Sequence, residues 1–431
     1  MTRPWAALPP ESQRDPRTWV RFLAAAALVV LGHRLALPQG LFLGHVVALV
    51  LLPVWWGSMR LRRGGVPFLA LGAGAAVAGI WLGAANDGDH AVSSGTAVPM
   101  TVTLVGALVS VGLFAWACDV LGANRAVLWY GLGLALAVSP STTLFASNPW
   151  KFGFAIPVTV IALALAHRLG RRWELATLAV LTVVAALNDF RSAFGLLLLA
   201  TLLLFAQIAL SRSQRRVSPT GIVVGLAALV AIVFQLGQAL IIDGYLGTDT
   251  QARSLEQLRS SGSLILGGRP ELAATFALMR EHPWGFGAGS VPAPFDIQVA
   301  KQGMSSIGYQ PDNGYVERFM FGGAFELHSV FGNLWAQSGL FGLALVALVL
   351  GLLVTGVVKR LADHTASGIL LYAAAQSAWN VFFAPFLTSV PMLVLALALV
   401  LVPTQPRPVP DELSVATPRR PSSRLTSART R

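Results

Sequence analysis

Long apolar runs dominate the sequence and restrict the chain to one class of fold. Because a helix needs about 20 apolar residues to cross the hydrocarbon core of a bilayer, each run is a candidate membrane span. Only 12% of the residues are charged, against roughly 25% in soluble domains. The pattern predicts an all-α integral membrane protein with about 12 transmembrane helices. The runs lie at 19–37, 40–57, 66–85, 97–120, 126–145, 152–167, 174–189, 192–210, 220–241, 329–357, 366–383 and 386–403.

The same pattern divides the chain into three parts. Residues 1–18 form a polar N-terminal segment, and residues 19–403 form the polytopic domain. Residues 404–431 are rich in proline, serine and arginine and have no apolar period, which predicts a disordered basic tail. Within the polytopic domain one long polar stretch, at about 243–328, separates the ninth run from the tenth. Any chemistry is expected in or beside this large loop.

Basic residues indicate how the chain crosses the membrane. They concentrate in alternate short connections, at 60–63, 125, 168–172, 212–216 and 359–360. The positive-inside rule then places both termini in the cytoplasm and the 243–328 loop outside. The formal charge of +12 is explained by this topology signal, so no nucleic-acid partner is expected.

The large loop contains one clear helical pattern. Apolar Leu272, Ala273, Phe276 and Met279 recur at helical spacing after Arg269. One interpretation is an amphipathic helix resting this face on the bilayer surface. The other concerns the start of the helix, where free backbone N–H groups, the helix dipole and the Arg269 guanidinium would together bind a phosphate.

Two further residues could carry chemistry at the outer membrane boundary. Arg191 begins the eighth run, and it either snorkels and pairs with Asp189 or forms an anion site facing the helix bundle. His328 opens the tenth run and is either merely interfacial or faces a wet cavity together with Asn333 and Gln337. The histidines and outer acids show no metal-ligand spacing, and there is no phosphate loop of the Walker type, so neither metal nor ATP is expected.

These features together resemble the O-antigen ligase and O-antigen polymerase family of polytopic membrane glycosyltransferases. In that family a Ser-Arg-Gly-type step opens an outer span end, and Arg191, between Phe190 and Ser192, resembles it in its arginine. An arginine then begins a loop helix that ends in proline and closely spaced glycines, similar to Arg269 and the segment 283–289. A histidine at the start of the next span, with glycine further along, corresponds to His328 and Gly339. The residues flanking Arg191 and following His328 depart from the usual family pattern.

The resemblance implies an activity and partners. It implies a multi-pass protein of the bacterial inner membrane that transfers a glycan from an undecaprenyl-diphosphate carrier to an acceptor hydroxyl on a glycan or glycolipid. Arg191 and Arg269 would bind the diphosphate, and His328 would accept the acceptor proton or hold the acceptor hydroxyl. Membrane lipid and proteins of polysaccharide assembly would be further partners. No metal or other cofactor is implied.

Two other classes compete with this interpretation. A transporter or exporter of lipid or glycan would also have about twelve spans, although such proteins usually carry their long loop in the cytoplasm between two similar halves. A structural membrane subunit would leave Arg191, Arg269 and His328 as unrelated interfacial residues. Within the family, a ligase and a polymerase are not distinguished by these motifs.

Overall fold

The computed structural model describes residues 16–212, 218–244, 248–261 and 268–401. Over these residues the regular structure is helical, and strand pairing is limited to two isolated bridges, which confirms the all-α prediction. Most of the predicted N-terminal segment and basic tail lies outside the described residues. The α-helices are α1 Pro16–His33, α2 Leu43–Val50, α3 Leu52–Arg60, α4 Gly65–Ala85, α5 Ser94–Leu121, α6 Ala123–Leu136, α7 Thr143–Ser147, α8 Ala155–Leu169, α9 Arg171–Leu187, α10 Arg191–Arg212, α11 Pro219–Ile242, α12 Thr248–Ser261, α13 Glu271–Glu281, α14 Pro294–Ser305, α15 Val330–Ala362, α16 Gly368–Phe383 and α17 Phe386–Val400.

The helices account for the apolar runs, although fewer of them than expected have the full length of a span. Six helices of the described chain are long and apolar enough to cross a membrane, and α2 with α3 makes a seventh if this pair, bent by 75°, is one span. Helices α6, α9 and α16 have 14, 17 and 16 residues, short of the roughly 20 that a span needs. The chain is therefore a helical protein with several candidate spans, and the count of 12 stays a prediction.

Close approach of small residues holds the bundle together. A Cβ atom on Gly32 of α1 would lie 2.4 Å from the Tyr130 carbonyl oxygen of α6, and one on Gly133 would lie 2.3 Å from the Val29 oxygen. Glycine lets these two backbones touch, as is common where helices associate in lipid. Helix α5 crosses the centre of the bundle, and its side chains form much of the main core cluster.

Short helices of the large loop build a second, smaller core. The predicted helix after Arg269 is present as α13, and its contacts with the rest of the loop lie on a different face from the predicted apolar one. The expected contact of that apolar face with the bilayer stays a prediction. The structure buries Ala274 and Leu278 of α13 against Ala300 and Met304 of α14, whereas Phe276 remains 53% exposed. The neighbouring helix α14 decides which face is covered, and periodicity within α13 does not reveal that neighbour.

The glycine-rich segment 283–290 docks between α4 and α15. The Phe286 and Gly287 N–H groups both donate to the Ala336 carbonyl at 2.8 and 2.9 Å, and the Ala288 N–H donates to Gly79 at 2.8 Å. Gly287 has a φ of 104°, and a Cβ there would lie 2.0 Å from the Gly83 nitrogen. A side chain would therefore block this close approach.

Helix α15 kinks at the point where this segment meets it. Gly339 has φ 55° and ψ −134°. A Cβ on Gly339 would lie 2.1 Å from the Trp284 carbonyl oxygen. The predicted structural role of Gly339 in close packing is consistent with this contact.

We expect Gly339→Ala to destabilise the protein strongly, because alanine would meet both an unfavourable φ, costing about 1–3 kcal/mol, and the steric overlap with Trp284. Gly351→Ala is the matched control, since Gly351 lies on the same helix and a Cβ there meets nothing within 4 Å. The melting temperature of the purified protein in detergent should fall for Gly339→Ala only. Equal melting temperatures for the two variants would contradict the kink.

The predicted orientation has a direct test in a Cys118→Ser background. Ser305 and Arg172 are both exposed, the first in the large loop and the second at the start of α9. With the cytoplasmic membrane intact, we expect an impermeant thiol reagent to label Ser305→Cys and not Arg172→Cys. Labelling of Arg172→Cys alone would reverse the orientation.

Candidate functional site

An elongated cavity of about 750 Å³ lies among α10, α11, α15 and α16. From Arg191 to Leu203 it follows α10 for twelve residues, about 18 Å at 1.5 Å per residue. Such a groove offers an apolar chain a long, sheltered surface. Its apolar lining includes Leu196, Leu199, Leu203, Leu226, Val230, Val233, Phe234, Ile241, Leu353, Val357, Leu371, Ala375 and Trp379.

Charged groups concentrate at one end of this cavity. Lys151, Asp189, Arg191 and Arg269 all contribute to its lining there. The structure thus brings together the two arginines that the sequence analysis singled out, although one begins α10 and the other precedes α13. Three cations and one carboxylate give this end, which we call the mouth, a net positive charge suited to an anionic group.

The turn between α9 and α10 fixes Arg191. Asp189 adopts φ 50°, a left-handed conformation that aspartate tolerates better than most residues. The Asn148 side chain donates to the Asn188 carbonyl oxygen at 2.8 Å and so ties this turn to the start of α8. Arg191 Nη1 donates to Ser254 Oγ of α12 at 2.8 Å, so its guanidinium is directed towards the large loop and not towards lipid alone.

Lys151 is a third cation at the mouth that the sequence analysis did not select. Its ammonium lies 5.9 Å from the centroid of the Phe190 ring and 5.3 Å from that of Phe152. Both separations lie within the range of cation–π contacts, which hold the ammonium beside Arg191. In the sequence Lys151 stands apart from the other basic residues, and this isolated position could have marked it as a candidate.

Arg269 stands at the N-terminal end of α13 beside a buried polar group. Two residues further on, Glu271 is 7% exposed and accepts a 2.5 Å hydrogen bond from the Tyr315 hydroxyl. Burial raises the pKa of Tyr315 most strongly, and the nearby Glu271 carboxylate raises it further. The positive charge of Arg269 lowers it. The phenol therefore stays protonated and donates to Glu271.

His328 joins this group from the other side. Its ring centroid lies 5.9 Å from that of Tyr315. Its backbone has φ 49°, just before Ser329, whose hydroxyl caps α15 by accepting from the Gly332 N–H at 2.9 Å. His328 is absent from the cavity lining, whereas Arg269 is part of it, and Tyr315 is influenced by the charge of Arg269 and contacts the ring of His328.

The contact made by one ring nitrogen of His328 defines its tautomer. Nδ1 lies 2.9 Å from the Glu326 carbonyl oxygen, which can only accept. Nδ1 therefore carries the hydrogen, and in the neutral ring Nε2 holds the lone pair. Desolvation raises the pKa of the Glu326 carboxyl, while His328 and a hydrogen bond from Asn333 lower it.

The described cavity is not the wet cavity that one interpretation placed beside His328, Asn333 and Gln337. Gln337 is buried, and neither residue lines the described cavity. Asn333 Nδ2 donates to the Phe325 carbonyl at 3.1 Å. Trp335, between them, is fully buried and donates to the Pro283 carbonyl at 3.2 Å. This part of α15 packs beneath the glycine-rich segment, whose position no pattern within α15 reveals.

The fold also brings together three ligand-type side chains that sequence spacing does not connect. One ligand atom each from His90, His282 and Asp296 lies within 4.8 Å of the others. In the sequence, only residues close together in the chain were compared, and they show no metal-ligand spacing. These three residues come from separate segments, so that comparison did not connect them.

Comparison of the chain with protein-family models and with curated proteins gave no match.

Proposed function

We propose that this chain transfers a glycan from an undecaprenyl-diphosphate carrier to a hydroxyl of a glycan or glycolipid acceptor at the outer face of the bacterial inner membrane. The observation that carries the proposal is that Arg191 and Arg269 both line one long apolar cavity. The donor has the matching form, because an extended hydrocarbon chain is joined to a diphosphate. The family resemblance of the sequence favours the same activity.

The cavity suits each part of such a donor. Moving hydrocarbon out of water contributes about 0.8 kcal/mol per CH₂, but a lipid already in the membrane has made that gain. An apolar groove between helices therefore selects its lipid mainly by shape. Specific affinity then comes from the diphosphate. Two guanidinium groups bind it by charge-assisted, two-pronged hydrogen bonds, and Lys151 adds a third positive charge.

The reaction requires three events. The bond between the anomeric carbon and the phosphate oxygen breaks, and the acceptor oxygen bonds to that carbon. The acceptor proton moves to Nε2 of His328, the ring nitrogen that holds the lone pair. The bonding electrons leave with the diphosphate, and Arg191 and Arg269 stabilise the negative charge that develops on it. No ATP is needed, because the diphosphate ester already activates the sugar.

Glu271 and Tyr315 act as positioning residues in this scheme. Their hydrogen bond fixes the start of α13, which carries Arg269, and the Tyr315 ring contacts His328. The pair therefore links Arg269, proposed to bind the leaving group, to His328, proposed to act on the acceptor.

A bulky side chain in the groove tests donor binding without touching the charged residues. Gly237 of α11 lines the cavity, and a Cβ there meets nothing within 4 Å, so Gly237→Phe places a ring in the space assigned to the lipid. Gly225→Phe is the control, because Gly225 lies on the same helix, is equally unobstructed and does not line the cavity. We expect at least a roughly tenfold higher donor KM for Gly237→Phe alone.

Unchanged donor KM in Gly237→Phe would remove the groove from the proposal. A transporter of the same lipid would also lose function in this variant, so the assay must detect chemistry. Release of undecaprenyl diphosphate together with extension of the acceptor occurs only in a transferase. Acceptors of the two kinds, a growing glycan and a lipid-anchored core, would then separate a polymerase from a ligase.

A further inference from the structure

Three side chains away from the arginine mouth form a compact group beneath the large loop. His90 lies in the connection between α4 and α5, His282 ends α13, and Asp296 lies in the first turn of α14. His90 Nε2 is 2.9 Å from Asp296 Oδ2, and His282 Nε2 is 3.4 Å from Asp296 Oδ1. One potential ligand atom of each residue thus lies within 4.8 Å of the other two.

The group is buried and incompletely satisfied. The side chains of His90 and Asp296 are 6% and 1% exposed. Among the described residues, Asp296 Oδ1 and His90 Nδ1 have no hydrogen-bond partner. A buried carboxylate oxygen without a partner is unfavourable, and a cation bound to Oδ1 would supply that partner.

The carboxylate is held in place by a further contact. The Ala293 N–H donates to Asp296 Oδ2 at 2.7 Å and so orients the carboxylate, with Oδ2 beside His90 Nε2 and Oδ1 beside His282 Nε2. Such support of a ligand by a neighbouring backbone group is typical of metal sites.

We propose that His90, His282 and Asp296 bind a divalent transition-metal ion, with Zn²⁺ as the ion that fits best. Tetrahedral Zn²⁺ with bonds of about 2.0–2.1 Å places its ligand atoms roughly 3.3 Å apart. The two histidine nitrogens lie 2.9 Å from Asp296 Oδ2 and 3.4 Å from Oδ1, and one ligand atom of each residue lies within 4.8 Å of the others. A bound ion would replace the direct contact between His90 and Asp296 with two metal bonds at that spacing. The fourth position is left for water, since the His282 side chain is 33% exposed.

The surrounding residues narrow the choice of ion. Ca²⁺ and Mg²⁺ prefer oxygen ligands, whereas two imidazoles and one carboxylate suit Zn²⁺ or ferrous iron. Ferrous iron with this ligand set keeps three further positions open. Here the Phe286 ring centroid lies 5.2 Å from that of His90 and 4.7 Å from that of His282, which leaves little room for three more ligands.

The metal would act as a structural clamp. It would join the α4–α5 connection to the end of α13 and the start of α14, and so fix the large loop on the membrane helices. Helix α13 has 11 residues, so the site lies about 16 Å from the end that carries Arg269. This inference does not depend on the proposed glycan transfer, and the clamp takes no part in the chemistry there.

Metal content tests the site directly in purified, tag-free protein in detergent. After treatment with a chelator, addition of ZnCl₂ and desalting, we expect roughly one Zn²⁺ per wild-type chain and a higher melting temperature than without Zn²⁺. Asp296→Asn and His282→Gln should bind Zn²⁺ at least about tenfold more weakly and lose the Zn²⁺-dependent rise in melting temperature. His364→Asn is the control, because His364 is exposed and distant in the chain, and asparagine tolerates its φ of 54°.

Substitution by Co²⁺ adds a spectroscopic readout, since a tetrahedral site with nitrogen and oxygen ligands gives visible absorption bands. His282 is the less buried ligand, so its glutamine variant should keep the fold even if Asp296→Asn does not. Absence of Zn²⁺ from wild-type protein would overturn the site and leave a hydrogen-bonded histidine–aspartate group. Equal Zn²⁺ affinity in wild type and in folded His282→Gln would overturn the ligand assignment.

Discussion

Arg269→Ala should lower the rate of glycan transfer by roughly 30- to 1,000-fold, the loss expected when about 2–4 kcal/mol of charge stabilisation is removed from a transition state. In the proposed reaction the diphosphate gains negative charge as it leaves, and Arg269 and Arg191, which both line the cavity, would bind it. Arg191→Ala should have an effect of similar size. Initial rates with a saturating acceptor measure both effects.

Two comparisons make this expectation specific. Arg269→Lys should be intermediate, because a point charge replaces a planar, two-pronged donor. Arg280→Ala, at the exposed opposite end of α13, should retain full activity. Wild-type rates in both Arg191→Ala and Arg269→Ala would exclude the proposed diphosphate site, since neither residue would then contact the leaving group.

Replacement of His328 should remove most of the turnover while the lipid donor still binds. In the proposed scheme Nε2 accepts the proton of the acceptor hydroxyl, whereas the arginines hold the diphosphate. We therefore expect His328→Ala to lose at least about 100-fold in kcat, the lower end of what a general base contributes, with little change in donor KM. Steady-state kinetics with the donor varied separate these two constants.

The backbone of His328 decides which substitutions are informative. Its φ of 49° is tolerated by asparagine, whereas glutamine and alanine carry a greater conformational cost. His328→Asn keeps a hydrogen-bonding side chain and removes the base, so it should be as slow as His328→Ala. A normal rate in His328→Asn would mean that the residue only positions the acceptor, and a normal rate in His328→Ala would exclude it from the mechanism.

The features that sequence reveals are the ones that depend on local composition. Apolar runs predict helices because a membrane span must satisfy its backbone internally, and each run contains a described helix. Arg191 was recognisable because it begins a helix at an apolar run, where a charge is costly without a purpose. Arg269 was recognisable because it stands just before a helical pattern in the polar loop, where a helix start suits a phosphate. Their shared cavity depends on how α10, α11, α15 and α16 pack, which the sequence pattern does not specify.

Contacts between residues that lie far apart in the chain were not predicted from the sequence. Leu278 rather than Phe276 is covered on α13 because α14 lies on that side. Tyr315 and Glu271 meet only when α13 approaches the segment before α15. His90 and Asp296 are separated by nine described α-helices, so no spacing rule could pair them.

The most direct test of the central claim is a transfer assay with purified protein in liposomes, given a labelled undecaprenyl-diphosphate glycan and an acceptor. Mass spectrometry would follow the free carrier and the extended acceptor in the same sample. The proposed function predicts that undecaprenyl diphosphate and extended acceptor appear together in equal amounts, without ATP, and that both are lost in Arg269→Ala. Movement of intact donor across the bilayer with no release of the carrier would instead identify a transporter and contradict the proposed function.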